Sequence, residues 1–578
     1  MGDKRTLLAF LIIGLILLLM PKYYELVGIA PPPPSDDSTP AEEQLEPAAT
    51  DSPAGLTQAP EEAPREYAPT PAPVTAMEPE GRPQGAAGSL SASQGTPLDR
   101  AFQPRSIEVT TPLQHLVLST AGGALTSVEL LAYTVAEEIP VELLPRGGAG
   151  LVVVLQDEFG ERVLDLGGVE FMPDRERVTV TEDGEQTLTL RADLGEGRYV
   201  SKRLTFHPHR YAVDVELAYD GFGDDTIAYL EWRGGIDVAE RDTDLDPQAM
   251  RAMYYINESL EEIEGDEEEG LSDKGLVRWA GVRNKYFFAA LIPHTDSQVR
   301  VELSGRPLVA EPFRDYHVRL GVQLQAGPGI HAWTLYAGPL DYERLSGYEM
   351  ALERAMSLGL PIIRDISKIL LVLFVAAHTY IPNYGVVIMV FAVVVKIIVY
   401  PLTHKSYESA AKMQGLQPKI AALKEKHKND NQRLSQETMK LYREEGVNPL
   451  GGCLPLLLQM PIFIAMYQTF SNTIQLRHAP FALWITDLSR PDTLTIAEFD
   501  LHVLPLLMAT AMFFQSRMTM KDPKQAAMVY VMPVVMVFIM WRFSSGLVLY
   551  WTCFNVLQIG QQYLTNYRKA QAEAAQTG

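Results

Sequence analysis

At 578 residues the chain exceeds one ordinary domain, and its net charge of −23 is unevenly spread. Residues 1–27 carry +1, residues 28–359 carry −31 and residues 360–578 carry +7, so the acidic middle excludes a nucleic-acid-binding domain there. Two cysteines, both in apolar runs, exclude a disulfide framework and argue against a metal site; long apolar stretches at both ends exclude a simple soluble protein.

Lys4 and Arg5 precede an apolar run from Thr6 to Met20, extended by Tyr23, Tyr24, Leu26, Val27 and Ile29. Residues 1–30 therefore read as an uncleaved transmembrane anchor with its amino terminus in the cytoplasm. The alternative is a cleaved signal peptide, but its small-residue candidate site ends at Ala30 with Pro31 directly after, and no lipobox cysteine is present. Residues 31–104 hold 16 prolines and read as a disordered, Pro-rich periplasmic spacer.

From 105 to 340 apolar residues alternate over short distances. Ser106–Thr110, Val178–Thr181 and Tyr211–Leu217 are expected as half-buried strands of a large antiparallel β-sandwich. Glu258 to Glu269, with seven Glu and one Asp, is expected as a solvated loop. The aromatic-rich stretch from Trp279 to Phe288 is either the wall of a sugar pocket or one strand with a turn. His207, His209, His294 and His317 are scattered, and no carboxylate pair stands at a spacing that marks catalysis.

Residues 341–383 shift to helical period. The part from 362 to 381 is either a span or an amphipathic helix in the outer interface. A crossing would leave only Ile381-Pro382-Asn383-Tyr384 for the return and would put the following basic loop outside, so the interfacial reading is adopted. Residues 384–403 are a span with one charge, Lys396. Residues 404–446 carry nine Lys/Arg against six Asp/Glu, and 404–448 is expected as a cytoplasmic hairpin of two helices. Further spans follow at 449–474, 501–516, 525–543 and 546–566. They are joined by a periplasmic loop at 475–500 and a cytoplasmic turn at 517–524, and a cytoplasmic tail occupies 567–578. The expected fold is a multi-domain membrane protein: a six-span helical bundle bearing a periplasmic β-sandwich and a cytoplasmic hairpin. Arg477 and Arg490 fall outside, balanced by Asp487, Asp492, Glu498 and Asp500 of their own loop.

Lys396 is the informative residue. It lies about 18 Å below the outer end of its helix and ~9 Å from the inner one. A lysine there costs about 2–3 kcal/mol on insertion scales. It either snorkels to the inner headgroups or faces a hydrated groove open to the cytoplasm. The other apolar runs offer it no carboxylate, whereas Gln459 and Asn555 fit a polar groove lining. Pro455, Pro461, Pro505 and Pro533 favour bent helices with a gap between them. Met460, Pro461, Phe463, Tyr467, Tyr550 and Trp551 either face lipid or form an apolar slide for a passing segment. No phosphate-binding loop is present and no intramembrane carboxylate serves proton coupling. A cation on a cytoplasmic groove with an apolar path to lipid suits capture of the polar flank of an incoming transmembrane segment.

Asn448–Cys453, Gln459–Phe463, Ala479–Ile485, Ser545–Tyr550 and Tyr400–Thr403 together resemble the YidC/Oxa/Alb insertase family in its Gram-negative form. The resemblance covers roughly 360–570 strongly and the acidic β-domain loosely. It implies a multi-pass inner-membrane insertase and chaperone for nascent inner-membrane proteins, acting alone or beside the Sec translocon in the lipid bilayer. It implies a β-supersandwich similar to sugar mutarotases without their activity, and a hairpin and tail that meet the ribosome or signal-recognition targeting machinery. It implies no cofactor, no metal and no enzymatic reaction. The family carries Arg at the position of Lys396; Lys keeps the charge and loses the planar fork. A membrane-anchored periplasmic carbohydrate-binding or carbohydrate-modifying protein, and a channel or transporter, are the alternatives.

Overall fold

The computed structural model describes residues 102–136, 139–240, 249–263, 269–307, 314–428, 430–447, 454–496, 499–519 and 526–577. The expected anchor, nearly all of the spacer, the middle of the acidic loop, the Asn448–Cys453 motif, and Lys521 and Lys524 lie outside these residues.

The first half is a β-sandwich of an eleven-stranded and a nine-stranded sheet. Alternation sets the inward side of each strand: in Ser106–Thr110 only Ile107 and Val109 are buried. The described pairings are antiparallel except one, in which Ser106–Thr110 runs parallel to Arg177–Thr179. Between the sheets lie Val128, Leu130, Leu204, Leu217, Leu335, Trp232, Trp279 and Trp333, all essentially without exposure.

The segment from Trp279 to Phe288 is the end of one strand, a turn and the first two residues of a second strand. Val277–Arg283 and Phe287–Pro293 form a hairpin. Asn284 builds its bend: its side-chain Oδ1 accepts from the amides of Tyr286 (3.0 Å) and Phe287 (2.8 Å). Trp279, Phe287 and Phe288 fill the core, so the aromatics present no open wall to a sugar. The described ends of the acidic stretch belong to strands, Ser259–Ile263 and Glu269–Gly275. Arg251–Ile256 and Ser259–Ile263 pair across Asn257 and Glu258, both left-handed (φ 48° and 67°), a two-residue turn that Asn tolerates.

Lys202 is fully buried in this domain. Its ammonium donates to the carbonyls of Gly122 (2.6 Å), Gly123 (3.0 Å) and Leu151 (2.5 Å) and lies 4.9 Å from the Phe171 ring centre. Gly122 has φ 69°, and a Cβ there would meet the Gly167 backbone at 2.8 Å, so only glycine lets the turn approach.

Nine α-helices follow among the described residues: α1 (Tyr342–Ser346), α2 (Pro361–His378), α3 (Tyr384–Gly415), α4 (Gln417–Lys426), α5 (Asn431–Glu444), α6 (Leu454–Asn472), α7 (Val503–Thr519), α8 (Ala526–Met540) and α9 (Ser545–Thr577). Helix α2 is amphipathic in an unusual sense. Ser367, Leu371 and Phe374 pack inward while Ile362, Ile369, Val372 and Leu373 remain exposed. The small Ser367 lets α2 approach α6 closely, its hydroxyl donating to the Ala465 carbonyl at 3.3 Å.

Asn383 directly precedes α3, and its side chain accepts from the Val386 amide (3.1 Å) and donates to the Phe481 carbonyl (3.1 Å). The Phe481 ring covers Gly385 so closely that no side chain fits there. The helix passes through Pro401 without a break and ends at Gly415, beyond the expected end of the span. Helices α4 and α5 fold against each other around Leu416, Ile420 and Val447. By length and composition, one helix among the described residues can cross a membrane, Tyr384–Pro401; Val503–Met518 and Val529–Met540 are shorter apolar helices. The amides of Asn555, Gln558, Gln561 and Gln562 lower the apolarity of α9, the last of the expected spans.

The loop 473–493 joins sandwich to bundle. Ile474 enters the sandwich core, and Gln475 donates to Asp341 at 2.7 Å. Arg477 and Arg490 are not simply balanced within their own loop: both bond Glu240 of the β-domain. Asp492 is buried and accepts from Trp484 Nε1 (3.1 Å) and the Leu504 amide (2.9 Å), fixing the start of α7.

Candidate functional site

Helix α3 presents two faces. Val393, Val394, Ile397 and Ile398 are exposed, whereas Val395, Lys396 and Val399 are buried. Lys396 therefore sits on the side turned to α9, and its ammonium donates to Gln558 Oε1. It also lies 4.6 Å from the centre of the Phe554 ring, a cation–π arrangement. Residues 384–403, 454–472, 503–519, 526–540 and 545–567 contain no Asp or Glu. The cation is thus held by a neutral amide and a ring, both from α9 and one helical turn apart.

Gln558 was not among the expected site residues, although Asn555 was. The stripe is Asn555, Gln558 and Gln562, at i, i+3 and i+7, all three buried. Gln562 Nε2 donates to Asn566 Oδ1 at 3.4 Å. Asn555 Nδ2 and Gln562 Oε1 are buried without a hydrogen-bond partner among the described residues. The i, i+3, i+7 spacing of carboxamides in an apolar run was the signal available in the sequence.

The remaining expected residues divide by burial. Gln459, Met460, Pro461, Phe463 and Tyr467 on α6, and Trp551 on α9, are half-buried. Phe463 meets Trp551 edge-on with ring centres 4.4 Å apart, and Tyr467 meets Phe543 at 5.5 Å. Tyr550 is only 2% exposed and packs with Phe470 and Phe554, so it belongs to the packed interior rather than to an open surface. Its hydroxyl has no hydrogen-bond partner among the described residues, with Gln459 the neighbouring polar side chain. A chain of contacts thus runs from Lys396 through Phe554 and Tyr550 to Gln459 on α6.

A β-sandwich docked on an apolar helical bundle, with one cation set against an amide-bearing helix, defines the class: a membrane protein with a large extramembrane domain and no visible catalytic constellation among its described residues. Two family models cover the chain and meet within α2: the YidC periplasmic domain matches residues 106–373, and the 60Kd inner membrane protein matches residues 376–573. The membrane protein insertase YidC of Syntrophus aciditrophicus is 33% identical over 86% of this chain and 91% of its own length. That of Pelobacter propionicus is 34% identical over 86% of this chain and 92% of its own. A crystal structure of an active YidC insertase with its first transmembrane domain resolved is 19% identical, covers 80% of this chain and 93% of that one, and has a TM-score of 0.36. The chain belongs to the YidC family of membrane protein insertases.

Proposed function

We propose that this protein inserts inner-membrane proteins into the lipid bilayer and assists their folding, alone or beside the Sec translocon. In this reading it crosses the membrane six times, with its amino terminus in the cytoplasm and its β-sandwich in the periplasm. The paired helices α4 and α5 and the carboxyl tail meet the ribosome or the signal-recognition targeting machinery. The basic surplus of 404–446 supports that orientation.

One observation carries the mechanism: Lys396 is turned toward α9 and has no carboxylate partner in the apolar runs around it. An acidic or polar segment of the client enters a hydrated groove from the cytoplasm and is drawn to the ammonium. Its apolar part then passes Met460, Pro461, Phe463, Tyr467 and Trp551 and leaves into lipid. Burial of client apolar surface, worth ~25 cal/mol per Å², drives the exit together with the membrane potential.

Depletion of the protein from cells tests this. Newly made inner-membrane proteins should fail to integrate, and reconstitution into liposomes should restore their integration without solute flux. A β-domain that alone restores the depleted cells, or flux without integration, would favour the anchored carbohydrate protein or the channel respectively.

A further inference from the structure

Lys396, Gln558, Asn555 and Gln562 form an arrangement that the capture of a charged client does not by itself require. The ammonium is already capped, and the cap is a neutral carboxamide on the helix across from it. A carboxylate is the stronger acceptor for an ammonium, because both partners then carry charge. Exchange of the amide for a client carboxylate strands the Gln558 side chain in a buried setting, and a buried unsatisfied amide is costly.

The two orphaned groups resolve this cost. Asn555 lies three residues before Gln558 and Gln562 four residues after, so both adjoin it on one helix face. Asn555 offers an unused donor, Nδ2, and Gln562 an unused acceptor, Oε1. They complement the two ends of a carboxamide: its oxygen can accept from Asn555 and its nitrogen can donate to Gln562. These two groups are the partners that the same helix face offers a displaced Gln558 side chain.

We infer that Gln558 is a specificity-determining residue of the groove, a displaceable cap on Lys396 that yields to the carboxylate of an acidic client and is then held by Asn555 and Gln562. The inference rests on the insertase reading. A client lacking an acid offers only a neutral exchange for the cap and gains little by it, so the cap discriminates between the two.

The test uses the full-length protein in inner-membrane vesicles and two single-span clients, identical except that an Asp in the translocated flank of one is Asn in the other. The readout is the ratio of acidic to neutral client integrated. Gln558→Glu gives Lys396 a permanent carboxylate and should lower that ratio about fivefold, since the client's charge then competes with a charged rather than a neutral cap. Asn555→Leu combined with Gln562→Leu removes both orphaned atoms, together with the 3.4 Å bond from Gln562 to Asn566, and should lower the ratio about twofold by stranding the displaced amide. A ratio unchanged in both variants overturns the inference while leaving insertion intact. Loss of integration of both clients in equal proportion overturns it too, because a structural defect does not discriminate between them. The insertase reading fails separately, if vesicles depleted of the protein integrate both clients normally.

Discussion

Arg477 and Glu240 form an ion pair from which water is almost excluded: Nε meets Oε1 at 2.6 Å, and the side chains are 3% and 6% exposed. Arg477 Nη2 donates to the carbonyls of Thr134 (2.7 Å) and Ala239 (2.8 Å). The second Glu240 oxygen takes Arg490 at 3.0 Å. One carboxylate of the sandwich thus grips both ends of the segment 477–490. That segment holds the start of α9 in turn: the Ser545 amide donates to the Arg490 carbonyl (2.6 Å) and the Gly546 amide to that of Leu488 (3.0 Å).

Removing one member of such a pair leaves the other charge buried without its counterion. Glu240→Ala should therefore weaken the docking of sandwich on bundle by about 3–5 kcal/mol. Glu240→Gln, which keeps an acceptor but no charge, should weaken it less. Protease cleavage within 473–493 of the detergent-solubilised protein measures this. Cleavage in Glu240→Ala no faster than in the parent would show that the joint is held by the apolar contacts of Ile474 instead.

A second buried cation gives a pH dependence. Burial pulls the Lys202 amine down to about 7. The unfolded chain, near 10.4, binds more protons between these values than the folded one does. The penalty is thus fully present below pH 7 and is relieved as pH rises toward 10, so this group makes the β-domain more stable over that interval. Its three carbonyl acceptors favour the ammonium and moderate the slope. Thermal unfolding followed by Trp232, Trp279 and Trp333 fluorescence should show a melting temperature that rises from pH 7 to 9. Lys202→Met should flatten the rise, and an equal rise in that variant would assign it to other groups.

The strands and helices were legible where one side of an element faces the core. Ile107 and Val109 alternate with polar residues, and the apolar run after Tyr384 has the length of a span. What escaped the sequence is non-local or set by a single side chain. Arg477 finds its acid 237 residues away, so nearby Asp487 was the natural but incomplete partner to expect. Asn284 fixes the turn after Arg283 by accepting two amides on its side chain, and the strand that returns from it was not specified by the sequence. Pro401 removes one helical hydrogen bond, yet the helix continues, because the bonds on either side of it suffice. Lys396 stood out as a charge in an apolar run. Gln558 did not, since a neutral amide barely interrupts such a run and its periodicity does not say which helix it faces.

At Lys396 the charge matters more than the shape of its carrier, because Gln558 and Phe554 offer one acceptor and one ring rather than a carboxylate fork. Lys396→Arg should therefore support insertion near the parental rate. Lys396→Ala should lower the integration of clients with acidic flanks about tenfold, equivalent to ~1.4 kcal/mol of lost attraction. Pulse-labelled clients followed to protease protection give the rates, and parental rates in Lys396→Ala would remove the ammonium from the mechanism.

The route past α6 follows from burial. Met460 and Phe463 are half-buried, and Phe463 meets Trp551 of α9 edge-on, a contact that a passing segment can replace with its own apolar side chains. Tyr550 lies behind that contact, enclosed by Phe470 and Phe554. A photocrosslinker at position 460 or 463 should therefore capture a stalled nascent chain, and the same probe at 550 should capture severalfold less. Capture confined to the β-domain would reject the route. Equal capture at 463 and 550 would mean that α6 and α9 separate during insertion, because the packing around Tyr550 leaves a client no other way to reach it.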